Sequence, residues 1–527
     1  MKKTFGEIIG RYKNSPQLLL YTLLGLVTAI AIVCIFSFAL HRDIFFHTDI
    51  ARDFLLVEQM IDTKRPSLIG ARSGGIPGLF HGPLWLYMSI PAFIITQENP
   101  GLIAIWWGIL NVSIILSCYW IAKKIFTQAI GLYAASIMSV MLITTSANLT
   151  NPFGAMMFSP WVLFFWYQYL QTKKWQYLAA CFLVIGITIQ FQIAFGGPLL
   201  LVILAGSLFL TIKHKLIHHM LSFFAVFIPL STYIVFDLRN NFLQSRSVLN
   251  FILNREGESL SFSKILAIFL DRLYLASIDM MSIIPSVGGN PVFRKIGPIL
   301  ILILCVAVIS KIKKSSYKDW FASIAFLYLG YWVIALVYPG TMWVYYYNSF
   351  LPIIVLGIAS AAAIVPKKIF LPILFVILSL TLVDGILWSK NLNQFVGKSD
   401  LSWQSYNEMA QDIYNTAQGD FGYYIYTPDL YGYQPKYAMQ FMQNRYQAKQ
   451  SYSFQKKREV FLIMASAPKD KPYLNGNSWK ENDIAIHTEP LSIKDYPNGF
   501  TVEHYILSDE QIAVPSNPLL IQDLHFR

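Results

Sequence analysis

Apolar runs long enough to cross a bilayer recur along this chain, and the lysines between them fall in alternate loops. The first run, LLLYTLLGLVTAIAIVCIFSFAL, occupies 18–40. Crossing about 30 Å of hydrocarbon takes roughly 20 helical residues, since each advances the helix by about 1.5 Å. A backbone inside lipid must satisfy its own hydrogen bonds, which leaves helices or closed barrels, and runs of this length select helices. Only 13% of the 527 residues are charged, against roughly 25% in soluble domains. The sequence therefore predicts an α-helical integral membrane protein.

Orientation follows from the basic residues. Lys2, Lys3, Arg11 and Lys13 precede the first span, which places residues 1–16 in the cytoplasm. No small-residue cleavage site follows the span, so it is read as retained. The short apolar run 83–96 then decides every later loop. Were it to cross, Lys123 and Lys124 would emerge outside and each later basic loop would invert. Laid along the outer surface, it leaves Lys173/Lys174, Lys213/Lys215, Lys311/Lys313/Lys314 and Lys367/Lys368 inside. The outer turns 144–153, 190–197 and 338–349 then contain no Lys or Arg. The expected spans are 17–40, 101–122, 128–146, 153–170, 176–192, 196–212, 217–237, 296–310, 318–338, 349–366 and 369–389, about eleven in the cytoplasmic membrane. The net charge of +12 is spread over these loops, which argues against a nucleic-acid partner. Cys34, Cys118, Cys181 and Cys305 lie within apolar runs and form no disulfide or metal-site pattern.

The expected organisation is a cytoplasmic N-terminus (1–16), a membrane part (17–390) and a small extracytoplasmic α/β domain (391–527). Outer loops at 41–100 and 238–295 interrupt the membrane part, and 263–281 within the second reads as an interfacial helix. In the last domain 422–426 and 459–464 read as strands, and 403–418 and 435–446 as helices. No glycine-rich phosphate loop is present.

The first outer loop opens with HRDIFFHTDIARDF. Ile50, Phe54, Val57 and Ile61 make one apolar helical stripe, with Asp49, Arg52 and Asp53 on an adjoining face. Together with Asp43, these are dense ionisable groups for a chain this apolar. The predicted outer side also gathers His81, Asn148, Asn151, Gln190, Gln192, Asp237, Arg239, Asp271, Arg272, Tyr345, Tyr347 and Asn348. A transporter would place ionisable groups near the midplane and a channel would line its pore with polar residues. The middles of these spans are nearly free of charge. Chemistry at the outer boundary fits better, with carboxylates for proton abstraction and Arg and His for an anionic leaving group. Plainer roles stay open for each: a helix-dipole acid at Asp49, ion pairing at Arg52 and Asp53, caps at Asn148 and Asn151, an aromatic belt at Tyr345–Tyr347.

One span, an outer Asp followed three residues later by Arg, a helix and then FHGPLWLY resemble the GT-C superfamily of polyprenol-phosphate-sugar transferases. The likeness is to its glycosyltransferase family 39-like members, which include aminoarabinose transferases of lipid A and protein O-mannosyltransferases. It covers roughly 17–390 and is best in the first 170 residues. It implies Asp49 as catalytic base and Arg52 as its companion. The family's Glu after that Asp is Ile50 here, which weakens any metal-binding role. The basic residue before the family's Pro-Pro-Leu segment falls at His81, before Gly82-Pro83-Leu84, and implies contact with the lipid phosphate. A further acidic position falls at Asn151 in LTNPFG, and WVYYYNSFLP resembles the tyrosine-rich segment before a late span.

The expected function is therefore an inverting membrane glycosyltransferase, moving a sugar from a polyprenyl-phosphate donor to an extracytoplasmic lipid, glycan or protein acceptor. Asp49 is the general base; Arg52, His81, Arg239 and Arg272 bind the donor phosphate. Asp53, Asn148, Asn151, Gln192, Tyr345, Tyr347 and Asn348 bind sugar or acceptor. No cofactor is required by the sequence, and participation of a divalent metal is left open. The alternative is a transporter or flippase of a lipid-linked saccharide with an external binding domain.

Overall fold

The computed structural model describes residues 16–73, 75–253, 262–281, 315–336, 338, 340–518 and 520. The expected cytoplasmic segment up to residue 15, the 296–310 span, Lys311, Lys313, Lys314 and much of the second outer loop lie outside them. Among the described residues, most of the expected spans form α-helices. Five described helices are long and apolar enough to cross a membrane: Gln17–Ile35, Pro100–Ile125, Ile193–Lys213, Val344–Ala363 and Lys367–Phe395. Asn151–Thr172 and Ser315–Ala335 are also helical, and Gln128–Leu142 and Trp175–Phe191 are shorter apolar helices. The expected 217–237 span is instead broken. A 3-10 stretch, Ile217–Phe227, precedes the Ser231–Arg239 helix at a 64° bend, and Pro229 within the break has no N–H to carry a helix through. The chain is a multi-pass helical membrane protein.

Two compact units divide the chain. The first comprises Met1–Phe36, Ser67–Trp85 and Trp107–Ser389. Its helices meet where small residues admit a neighbour, as expected in lipid, where apolar surface alone gives little drive to associate. A Cβ at Gly154 would lie 2.2 Å from the Phe191 ring, so glycine lets Asn151–Thr172 lie against Trp175–Phe191. Loops of two kinds gather at the two ends of this bundle. At one end Gln171 bonds Asp319, the Tyr167 hydroxyl donates to Ser316 O, and Phe126 packs on Tyr317. At the other, Asn151 donates to Phe191 O and Ser349 to Pro152 O.

The second unit joins Ser37–Pro66 and Leu86–Trp106 to Lys390–Arg527. Its sheet runs β2-β1-β3-β5-β4, from β1 (Phe421–Tyr426), β2 (Ser451–Ser453), β3 (Glu459–Ala465), β4 (Ser492–Asp495) and β5 (Phe500–Ile506). β1 is parallel to β2 and β3, and β5 is antiparallel to β3 and β4. Alternation along the strands sends Tyr424, Val460, Leu462 and Met464 into one core with Ile484, Ile486 and Tyr505. Phe421 and Phe461 stack edge-on at 5.3 Å on the other face, where Tyr414 of the Trp403–Thr416 helix joins them. The residues of the first outer loop pack into this unit. Phe46 lies against Trp403, Tyr406 and Tyr437, and Phe54 between Phe93 and Tyr437. The contacts thus cross the boundary expected at residue 390.

Candidate active site

The predicted amphipathic helix forms as Thr48–Thr63. His47 stands at its N-cap, and its Nδ1 accepts from the Asp49 N–H at 3.3 Å. That bond satisfies one of the donors a helix start leaves open, and an acid in the first turn suits the helix dipole. Ile50, Phe54 and Val57 are buried as the stripe requires, but so are Ala51, Leu55, Leu56 and Met60. The buried face is therefore wider than periodicity indicated, and Asp53 falls inside it.

Asp49, Arg52 and Asp53 form one chain of charges. Arg52 Nη1 donates to Asp49 Oδ1 at 2.6 Å. Its Nε and Nη2 both donate to Asp53 Oδ1, at 3.1 and 2.8 Å. Side-chain exposure falls from 59% at Asp49 to 13% at Arg52 and 6% at Asp53. Burial raises the Asp53 carboxyl above the usual aspartate range, and the Arg52 guanidinium draws part of that back. Burial works against the Arg52 charge as well, yet Asp53 and Asp49 together hold its pKa above the ordinary value. Only Asp49 offers an accessible carboxylate. A buried Asp53 with its oxygen on Arg52 is not placed to touch a sugar.

The other expected residues belong to the first unit, and its polar end ties many of them together. The His81 N–H donates to Ala71 O and the Gly82 N–H to Gln190 O. A Cβ at Gly82 would sit 1.8 Å from Gln190 Oε1 and 3.0 Å from its Cα, so a larger residue there would displace the Gln190 side chain. Asp237 accepts from Gln244 N, Ser245 N and Ser245 Oγ, and Gln244 Oε1 accepts from Phe80 N. Gln190 donates to Pro229 O and Thr232, while Gln192 is wholly buried at a helix break with both amide ends unbonded. Asn148 and Arg239 are exposed, and Asn348 is half-buried.

Two expectations change on this geometry. Arg272 is buried and spends its donors on Ala335 O, Tyr338 O, Gly340 O and Asp271. It clasps the turn before the aromatic segment and has little left for a phosphate. Tyr347 is 2% exposed against Trp332, whereas Tyr345 is 45% exposed and stacks on Trp343. Among the described residues no three His, Cys, Asp or Glu side chains gather into a metal-binding group. Sequence reasoning missed Gln434 of the Tyr433–Gln443 helix, whose Nε2 donates to Thr48 Oγ1 beside Asp49 at 3.2 Å. No local pattern links positions 386 residues apart.

Residues 81–236 match the family model described as dolichyl-phosphate-mannose-protein mannosyltransferase. No curated protein matches the chain. Among solved structures it is similar to ArnT from Cupriavidus metallidurans bound to undecaprenyl phosphate. That pair shares 11% identity over 94% of this chain and 99% of that one, with a TM-score of 0.50. The same protein in the apo state gives 12%, 92%, 98% and 0.49. The Archaeoglobus fulgidus oligosaccharyltransferase in complex with zinc and sulfate gives 12%, 81%, 62% and 0.34. The family match and the shared architecture agree with the resemblance drawn from the motifs: this chain has the GT-C fold of ArnT, with the mannosyltransferase pattern in residues 81–236.

Proposed function

We propose that the protein transfers a sugar from a polyprenyl-phosphate donor to a hydroxyl-bearing acceptor outside the cytoplasmic membrane. Asp49 accepts the acceptor's proton as its oxygen attacks the anomeric carbon. The bond from that carbon to the phosphate breaks on the opposite side, which inverts the centre and releases the polyprenyl phosphate. Arg52 meets the charge that grows on the departing phosphate; His81 and Arg239 keep the phosphate-binding role that the sequence assigns them. Tyr345, Asn148, Asn151 and Asn348 keep the sugar- or acceptor-binding role that the sequence assigns them, and Gln192, wholly buried, does not. The observation that carries this reading is Asp49 itself: an accessible carboxylate at a helix start, bonded to a guanidinium, in a chain of GT-C fold. The solved relative is bound to undecaprenyl phosphate, which supports a lipid phosphate as the leaving group. The reading carries eleven spans, residues 83–96 along the outer surface and the α/β domain at 391–527 outside.

Asp49→Asn tests it. A general base acts in the transition state, so kcat falls by about 10²–10⁴-fold with donor binding nearly unchanged. Transfer from a synthetic polyprenyl-phosphate sugar in liposomes measures the first, and donor titration the second. Transfer at the wild-type rate overturns the assignment and favours transport of a lipid-linked saccharide instead.

A further inference from the structure

Asp53 was expected to touch sugar or acceptor, and its burial denies it that part. Its side chain is 6% exposed and one oxygen receives both Nε and Nη2 of Arg52. Two bonds from one planar edge fix the guanidinium in rotation and leave Nη1 directed at Asp49. An arginine held only by the exposed Asp49 would lack this second anchor, and surface ion pairs between mobile side chains contribute little. Asp53 also supplies a second negative charge, so Arg52 is shared and Asp49 is not fully neutralised by it.

We infer that Asp53 is a positioning residue that holds Arg52 in place beside Asp49 and shares its positive charge. This rests on the reading of Asp49 as base and deepens it. Nothing in the local pattern distinguishes Asp53 from a solvated acid; its burial does. Other ionisable groups face the trio and stay unchanged when Asp53 is altered. They are His47 on the same helix and Tyr433 from the Tyr433–Gln443 helix, with Tyr431 and Asp429 beside Tyr433.

The test is a pH–rate profile of transfer. In Asp53→Asn the amide oxygen can still accept from Arg52, so the anchor is kept while one negative charge near Asp49 is gone. Losing that charge stabilises the Asp49 anion, so the acid limb of kcat/KM moves down by about half a pH unit. A weaker base also lowers the plateau, by about threefold at most. Leu55→Ala on the same helix is the structural control: it lowers melting temperature and leaves the acid limb in place. If Asp53→Asn does not fold, Arg52→Gln/Asp53→Asn removes the buried pair together. That variant loses the cation in contact with Asp49 as well as the more distant Asp53 anion, and the nearer charge dominates, so the acid limb moves up. An Asp53→Asn limb that coincides with wild type overturns the inference, as does an unmoved limb in the double variant. Wild-type transfer by Asp49→Asn overturns the base assignment instead, whatever Asp53→Asn shows.

Discussion

Glu58 sits on the helix that carries Asp49, one turn beyond Phe54, and is 7% exposed with its Oε2 unbonded. Burial, with Glu98 and Asp62 nearby, pushes its pKa from 4.5 up to about 8, and the Asn444 amide offsets only a little. A carboxyl whose folded pKa is raised stabilises the fold fully below its unfolded value and loses that stability as pH climbs through the folded one. Unfolding stability should therefore decline between about pH 4.5 and pH 8, by about 5 kcal/mol at most. Glu58→Gln stays neutral throughout, so its melting temperature should fall less over that window and exceed wild type at pH 8. Parallel melting curves of the two proteins in detergent across that range would show a wrong account. Asp49 and Asp53 read alike in the sequence, as acids a turn apart. Only the helix's neighbours make one a reactive surface group and the other a buried anchor.

At the scale of elements, the Trp403–Thr416 helix begins with a borrowed cap. Ser402 stands at its N-cap position but makes no side-chain capping bond. Its hydroxyl donates to Asp43 Oδ2 at 2.6 Å, while Asp43 Oδ1 accepts from Gln404 N at 3.2 Å and from Ile44 N at 2.9 Å. The carboxylate of the first outer loop thus does what Ser402 would otherwise do, and Phe46 N donating to Leu401 O fastens the same seam. Asp43→Ala should cost about 1–3 kcal/mol and speed amide exchange at 402–406 ahead of the rest of the helix. Exchange there at the wild-type rate would mean Asp43 is no cap. Strands at 422–426 and 459–464 and helices near 403–418 and 435–446 were legible because alternation and helical spacing are local properties. The cap was not, since its two halves lie some 360 residues apart.

For the whole molecule, loop lysines predict that Lys174 and the α/β domain lie on opposite sides of the membrane. Cysteines placed at Lys174 and Asn475, both exposed, should react with an impermeant reagent from opposite sides of sealed vesicles. Reaction of both from one side would overturn the number of crossings between them, and with it the placement of Asp49 on the outer face. Sequence alone determined the membrane-spanning class, the basic and uncharged loop sets, the Asp49 helix and two of the five described strands of the last domain. Each rests on composition or on a period of two or about 3.6 residues, which a chain carries within a single element. Tertiary structure decided which of the polar residues were spent on the fold itself: Asp53 on Arg52, Arg272 on three carbonyls, Tyr347 on Trp332, Asp43 on a distant helix. It also decided that residues 37–66 pack with the C-terminal fold. A buried polar group must find its partner wherever the fold supplies one, and local periodicity holds no record of a partner hundreds of residues away.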